Sequence, residues 1–189
     1  MEIKRISSKH TDKKKQRRTQ FIIGGILIFI MIFSVIAGGI QYFGQEEDSN
    51  KVEYNGYDFV GMNSYWVVTL GNFQFAIRNN PNELQKTLGV VKGFNLYQSQ
   101  PLYISSEDDY VSQIISMNFG QIASRMQNAC FGDCEEDYPV KDCNNNLIVI
   151  REAEFNKIEQ NESCVFIEGK SEDLEKLVDE FILKTIGIN

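Results

Sequence analysis

Apolar and polar positions divide this chain into one long apolar run and a following region of short alternating segments. Every residue from 21 to 40 is apolar or glycine except Ser34, and no charged side chain occurs between Thr19 and Gln45. A helix needs about 20 apolar residues to cross the hydrocarbon core of a bilayer, which is roughly 30 Å thick. The pattern therefore predicts a transmembrane helix over residues 21–43.

Beyond this run, short apolar segments predict strands. Tyr65–Leu70 and Phe73–Ile77 are rich in β-branched and aromatic residues, and Gly71-Asn72 between them suits the tight turn of a hairpin. Similar runs predict further strands at residues 90–97, 102–105, 147–150 and 165–168.

Helical spacing and capping residues predict three helices in the same region. Asn80 and Pro81 suit the start of a short helix over 81–88, with Gly89 as its end. A second helix over 109–129 has the apolar stripe Val111, Ile115, Phe119, Ile122 and Met126. Ser171 is predicted to cap the last helix, which ends at Gly187 and buries Leu174, Leu177, Val178, Phe181 and Ile182. Strands and helices interleave, which predicts an α+β domain over 51–189, with one mixed sheet and covering helices, after a polar linker at 44–50.

Charge is distributed unevenly about the apolar run. Residues 1–20 hold eight Lys or Arg and two acidic residues, a net charge of +6, and since the whole chain carries −7, the remainder carries −13. Lys and Arg beside a membrane helix stay in the cytoplasm. We therefore expect a basic cytoplasmic head, a single pass through the plasma membrane with the lipid bilayer as a partner, and a domain outside. A cleaved signal peptide is disfavoured by the length of the apolar run, and nucleic acid is not an expected partner.

All four cysteines, Cys130, Cys134, Cys143 and Cys164, follow the apolar run. An even number on the oxidising side of a membrane predicts disulfides. We favour Cys143–Cys164, because each residue precedes a predicted strand, and Cys130–Cys134, which closes a tight loop. The pairing of 130 with 143 and 134 with 164 stays open. The spacing does not match the paired C-x₂-C ligands of a zinc ribbon.

Familiar catalytic patterns are missing from the predicted outer domain. The only histidine is His10, in the basic head, so no Ser-His-Asp set, Cys-His pair or HExxH helix occurs beyond the apolar run. Phosphate-binding glycine loops and the G-x-S-x-G elbow are also missing. We therefore expect no cofactor and no catalytic or metal-binding residue, and the two acidic clusters at 107–109 and 133–137 are interpreted as a helix start and a solvated loop.

Two further features suggest contacts with other molecules. Asn161, in the sequon Asn-Glu-Ser, is a candidate glycosylation site in a host that glycosylates. Trp66 lies among Tyr54, Tyr57, Phe59 and Tyr65, which form either a ligand-facing surface or, as we favour, a hairpin packed on a core.

The sequence resembles a recurring pattern in small archaeal single-pass membrane-anchored proteins. The similar segments are residues 142–150, residues 163–169, the helix that ends at 184–188, and the hairpin of residues 66–77 with Asn80-Pro81 after it. The resemblance implies single-pass anchoring and a disulfide between Cys143 and Cys164, and it carries over no catalytic residues.

These features predict a non-enzymatic, single-pass protein of the cell envelope whose outer domain binds another protein or a surface polymer. Two alternatives are an anchored hydrolase that uses a pair of carboxylates and a pilin-like surface subunit. The hydrolase requires a deep pocket with two convergent carboxylates, one of them with a raised pKa.

Overall fold

The first sheet is a meander of four antiparallel strands. The structure is a computed structural model, and it describes residues 50–132, 134 and 137–188. Strands β1 (Lys51–Tyr54), β2 (Tyr57–Met62), β3 (Tyr65–Leu70) and β4 (Phe73–Ile77) lie in sequence order. The β1–β2 turn has positive φ at Asn55 and Gly56, 50° and 79°, as a two-residue hairpin turn requires. The β3–β4 hairpin agrees with its prediction, whereas β1 and β2 were not predicted.

The second sheet is mixed and has five strands. It contains β5 (Pro101–Ser106), β6 (Arg125–Asn128), β9 (Leu147–Glu152), β10 (Lys157–Asn161) and β11 (Cys164–Gly169), in the order β10-β11-β9-β5-β6. Only the β10–β11 pair is antiparallel. Two short strands, β7 (Cys130–Phe131) and β8 (Val140–Lys141), pair with each other in parallel. The predicted α+β class with a mixed sheet is confirmed.

Two helices cover one face of the second sheet. They are α1 (Asp109–Phe119) and α2 (Leu174–Thr185), and the rings of Phe119 and Phe181 stack between them with centroids 5.6 Å apart. Alternate strand residues face this helical layer, among them Leu102, Ile104, Ile148, Ile150, Val165 and Ile167. The opposite face carries a smaller buried cluster of Tyr103, Ala129, Leu147, Val149 and Cys164. Alternation of side chains along a strand therefore divides the apolar residues between two layers.

The outer edge of β4 is paired with side chains in α1 and just after it instead of with another strand. The Asn118 side chain accepts a hydrogen bond from Ala76 N–H at 2.7 Å and donates to Ala76 O at 2.9 Å. Gln121 makes the same two contacts with Gln74. Further along, Asp179 accepts from the backbone N–H groups of residues 78 and 79. An exposed strand edge would otherwise present unpaired N–H and C=O groups, so these side chains attach the meander to both helices.

Three predicted elements are wrong. The helix expected over 109–129 ends at Phe119, because the chain turns at Gly120 and residues 125–128 join the sheet as β6. The helix expected over 81–88 is only a 3₁₀ turn, Pro81–Glu83, capped by Asn80 as predicted. Residues 90–97 contain no strand and instead hold a 3₁₀ turn at Phe94–Leu96. Ser171 opens a 3₁₀ turn before α2 and makes no side-chain cap.

The predicted membrane segment is not among the residues that the structure describes. The basic head at 1–20, the transmembrane helix at 21–43 and nearly all of the linker at 44–50 lie outside the described residues. Within residues 50–188, as far as these are described, no helix is long and apolar enough to cross a membrane. Membrane anchoring therefore stays a prediction.

Candidate functional site

The disulfides lie away from the helical layer. The structure pairs Cys143 with Cys164 and Cys130 with Cys134, the two pairs that the sequence favours, with Cα–Cα distances of 4.8 and 5.8 Å. Cys164 is fully buried on the sheet face opposite the helices. All four sulfurs are thus bonded in pairs, and none is a thiolate ligand for zinc.

The remaining sequence candidates lie on the surface. Asn161 is exposed at the end of β10, next to the turn that leads into β11, and its glycosylation stays a prediction. Asp108 begins α1, where its carboxylate accepts from the N–H groups of residues 110 and 111. In the 133–137 cluster, the described part is limited to Cys134 and Asp137. No group of three or more His, Cys, Asp or Glu side chains among the described residues is arranged to hold a metal ion.

A buried ion pair on α2 holds the loop of residues 84–91. Lys184 Nζ lies 3.0 Å from Glu180 Oε1, and the two side chains are only 11% and 6% exposed. Lys184 Nζ also donates to the Thr87 and Gly89 carbonyls, at 2.7 and 2.6 Å, and to Thr87 Oγ1. Glu180 Oε1 in turn accepts from Thr87 N–H at 2.6 Å and from its hydroxyl at 2.9 Å. We call these four residues the α2 clamp.

A close backbone contact supports the clamp from the other side. A Cβ atom at Gly89 would overlap the carbonyl oxygen of Ile158 in β10. Glycine has no Cβ atom, so the loop can pack directly against the edge strand β10 at residue 89. The 84–91 loop is therefore fixed between α2 and β10 although it contains no regular secondary structure.

A cavity of about 200 Å³ lies between this loop and α2. Its walls are largely apolar and include Tyr54 from β1, with Leu84, Val91, Leu183 and Ile188. Glu180 and Lys184 supply its buried polar groups. Glu180 Oε2 is buried and has no hydrogen-bond partner among the described residues. A mostly apolar cavity with few polar groups is typical of a small-molecule site.

The same loop presents two aliphatic side chains to solvent. Leu88 is 101% exposed and Val90 is 84% exposed, the largest values among the exposed large hydrophobic residues of the described chain. Both are next to clamp residues in sequence. We call residues 88–90 the tip.

A second crevice lies where β5, β6 and β9 end. It measures about 570 Å³ and is lined by polar side chains that include Ser105, Glu107, Asn128 and Arg151. Crevices at the carboxyl ends of parallel strands often bind ligands. In this crevice Arg151 is paired with Glu168, and Ser105 Oγ accepts a hydrogen bond from the backbone N–H of Phe131. Two of the crevice's polar groups are therefore already engaged within the protein.

One carboxyl group has a strongly perturbed pKa, but it is not accessible. Burial raises the pKa of Asp179 to about 6, while hydrogen bonds from Asn79 and from the Arg78 N–H act in the opposite direction. Asn79 Nδ2 bridges Asp179 to Glu175. Asp179 is 0% exposed and fully engaged in joining α2 to the end of β4, so a substrate cannot reach it.

The aromatic residues near the start of the domain pack inward. Phe59 is fully buried, and Tyr54 and Trp66 pack against the main core. Of these five aromatic residues, only Tyr57 is exposed, at 37%. The structure therefore agrees with a hairpin packed on a core, with Tyr54 also forming one wall of the cavity.

Comparisons with protein-family models, with curated proteins and with solved structures gave no match to this chain. The fold and the site together define an α+β domain with two disulfides and one clamped loop over an apolar cavity.

Sequence reasoning missed the clamp, although α2 carried a signal for it. The stretch 177–183 is apolar at five of its seven positions, and the other two are Asp179 and Glu180. A helix that is apolar on nearly all sides is buried, and a buried carboxylate requires a partner. The partners, in the 84–91 loop and at residues 78 and 79, are about 100 residues away in sequence, so no local pattern could identify them.

Proposed function

We propose that this protein is a single-pass membrane protein of the cell envelope with its N-terminus in the cytoplasm. Its domain of residues 51–189 lies outside and binds a second envelope protein through the tip of the 84–91 loop. The anchor is supported by the change from a +6 head to a −13 remainder across an uncharged run. An oxidising location agrees with two disulfides in the described domain.

The exposed tip is the observation that carries the binding role. Leu88 exposes its whole side chain, and the carbonyl groups of the residues on either side of it accept hydrogen bonds from Lys184 in the α2 clamp. A backbone held in this way loses little conformational entropy when a partner covers the Leu88 side chain. Apolar side chains that enter a partner's pocket supply much of the binding energy of an interface.

Charge favours a protein partner over the bilayer or a second copy of the chain. Residues 51–189 contain 21 acidic and 11 basic residues. An acidic domain is repelled by anionic lipid headgroups and by an identical domain. A neutral or basic surface on another envelope protein avoids both repulsions.

The other two functions receive no such support. An anchored hydrolase requires reachable carboxylates, and the buried Asp179 is closed to a substrate. A pilin-like subunit requires processing before the apolar run, and the intact mass of the mature protein tests this directly.

Topology is tested on the full chain in sealed cells and in inverted membrane vesicles. We expect added protease to digest the domain in cells and to digest only the basic head in inverted vesicles. The intact mass should include residues 1–43 and should rise by about four units on reduction, since each disulfide gains two hydrogens. Protection of the domain in cells, or loss of the N-terminus, would contradict the anchor.

The tip contact is tested with a photocrosslinking amino acid at position 88 of the full chain in its own membranes. Position 62 is the matched control, because Met62 is also an exposed apolar residue, at 55%, but lies in the meander. We expect one protein adduct from position 88 only. The identified partner, purified, should then bind Leu88→Ser about 10- to 100-fold more weakly, since burying a leucine contributes about 1.5–3 kcal/mol. A lipid adduct, a self-adduct or unchanged affinity would refute the contact.

A further inference from the structure

We propose that the cavity beneath the 84–91 loop binds a small neutral molecule that joins an apolar body to a hydrogen-bond donor, such as a hydroxyl or an amide N–H. The site adjoins the tip, since Gly89 and Val90 are among the residues that line the cavity, but it stands on different observations. Its polar centre is Glu180 Oε2, and its walls are the apolar residues described above.

The need for a donor follows from the pairing of Glu180. Its Oε1 atom accepts from Lys184 and twice from Thr87, whereas its Oε2 atom is buried and has no partner among the described residues. Buried polar atoms in proteins are nearly always hydrogen-bonded, and hydrogen bonds to a charged group are stronger than those between neutral groups. Glu180 lines the cavity, so a ligand there can supply the missing donor.

The neutral charge of the ligand follows from the ions already present. Lys184 balances Glu180 within the clamp, and Lys86 lines the same cavity at its exposed side. A cationic ligand would add a further positive charge to a balanced buried pair, and an anionic ligand would face the unpaired carboxylate oxygen. A hydroxyl or amide donor meets Oε2 without adding a charge.

The apolar body and its size follow from the walls and the volume. Leu84, Val91, Leu183 and Ile188 offer no hydrogen-bonding side chains, and Tyr54 contributes its ring. An apolar cavity of about 150 Å³ is large enough for benzene. The volume here is about 200 Å³ and therefore accommodates one aromatic ring, or an aliphatic chain of similar size, with one polar substituent.

Four probes of one shape test these requirements: toluene, benzyl alcohol, benzylamine and benzoate. Each is titrated into the full chain in detergent, and binding is read from the ¹³C-methyl shifts of Leu183 and Ile188. Affinities are calculated from the free concentration of each probe outside the micelles, measured by equilibrium dialysis, so that they can be compared between probes as well as between variants. We expect benzyl alcohol to bind at least about tenfold more tightly than toluene, as a hydrogen bond to a charged group allows. Benzylamine and benzoate should bind more weakly than benzyl alcohol.

Two variants assign the preference to Glu180. In Glu180→Gln the amide oxygen can accept from Lys184, which leaves the amide N–H₂ for the ligand, so benzyl alcohol can only accept a hydrogen bond from a neutral group. Its advantage over toluene should therefore become much smaller, because hydrogen bonds between neutral groups are weaker than those to a charged group, while toluene still binds. Glu168→Gln, which breaks an exposed ion pair with Arg151, is the matched control and should change neither affinity.

Other outcomes overturn the proposal. They are equal binding of toluene and benzyl alcohol, tightest binding of either charged probe, or methyl shifts that respond to no probe. If Glu180→Gln does not fold, the order of the four probes on the unmodified protein decides alone. Val91→Phe, which fills the cavity, should then abolish the methyl shifts, and their persistence would place the probes elsewhere.

Discussion

Asp179 gives the domain a stability that depends on pH in the opposite sense to most carboxylates. It is fully buried, and its oxygens accept from the N–H groups of residues 78 and 79 and from the Asn79 side chain. We consider its replacement by asparagine, which keeps the shape and one accepting oxygen but cannot ionise. The exposed Asp58 in β2 gives the matched control Asp58→Asn.

The sign and magnitude follow from the raised pKa. Burial raises the pKa of Asp179 from its ordinary value of 3.8 to about 6 in the folded protein. Between these values the folded state binds a proton that the unfolded chain has lost. The contribution of Asp179 to stability is therefore greatest below about pH 4 and is lost as pH rises through about 6. A difference of about two pKa units corresponds to about 3 kcal/mol in the free energy of unfolding.

Urea unfolding of the full chain in a nonionic detergent measures this effect. Trp66 is the only tryptophan in the chain, and its fluorescence reports the meander that Asp179 attaches to α2. From about pH 4 to pH 7 the unfolding free energy of the wild type should fall relative to that of Asp179→Asn by about 2–3 kcal/mol, while Asp58→Asn should follow the wild type. Parallel curves for wild type and Asp179→Asn would refute the reasoning, because they would show that the N–H groups fully offset the cost of burial.

Three further changes test the clamp and the disulfides. Lys184→Met leaves the Glu180 carboxylate buried without its ion partner and should lower the unfolding free energy by about 3–5 kcal/mol in the same urea assay. Gly89→Ala introduces a Cβ that overlaps the backbone of β10, so limited proteolysis should cut near residue 89 much faster than in the wild type, and equal rates would contradict the contact. Replacing both Cys143 and Cys164 by serine opens a 21-residue loop and should lower the free energy of unfolding by about 3 kcal/mol, whereas an unchanged urea midpoint would contradict a stabilising bridge.

Sequence patterns predicted secondary structure correctly where a segment contacts residues close to it in sequence or where the segment is apolar throughout. The runs 147–150 and 165–168 became β9 and β11, and the stripe of the last helix is buried in α2 as expected. The β3–β4 hairpin was visible because its turn lies within the segment.

The errors occur where distant contacts override local preference. The helical spacing of apolar residues continues past Phe119 in the sequence, because Ile122 and Met126 also contact the core. In the structure, however, Ile122 lies in a turn and Met126 lies in β6. Residues 84–88 have the composition of a helix, yet Leu84 is extended, with ψ of 136°. An extended backbone lets Thr87 and Gly89 reach Lys184, about 95 residues further along the chain, and tertiary contacts of this kind outweigh weak helical propensity.

These observations place several functions of the fold on one short helix. Within α2, Asp179 attaches the meander, and Glu180 with Lys184 attaches the loop that carries both the cavity wall and the tip. The Cys143–Cys164 bridge lies on the opposite face of the sheet. Since residues that share no partners contribute nearly independently to stability, opening this bridge should lower the stability of the domain while leaving the affinity of the cavity and the contact at the tip unchanged. Substitutions of the clamp residues in α2 should instead change the stability of the domain, the affinity of the cavity and the contact at the tip together.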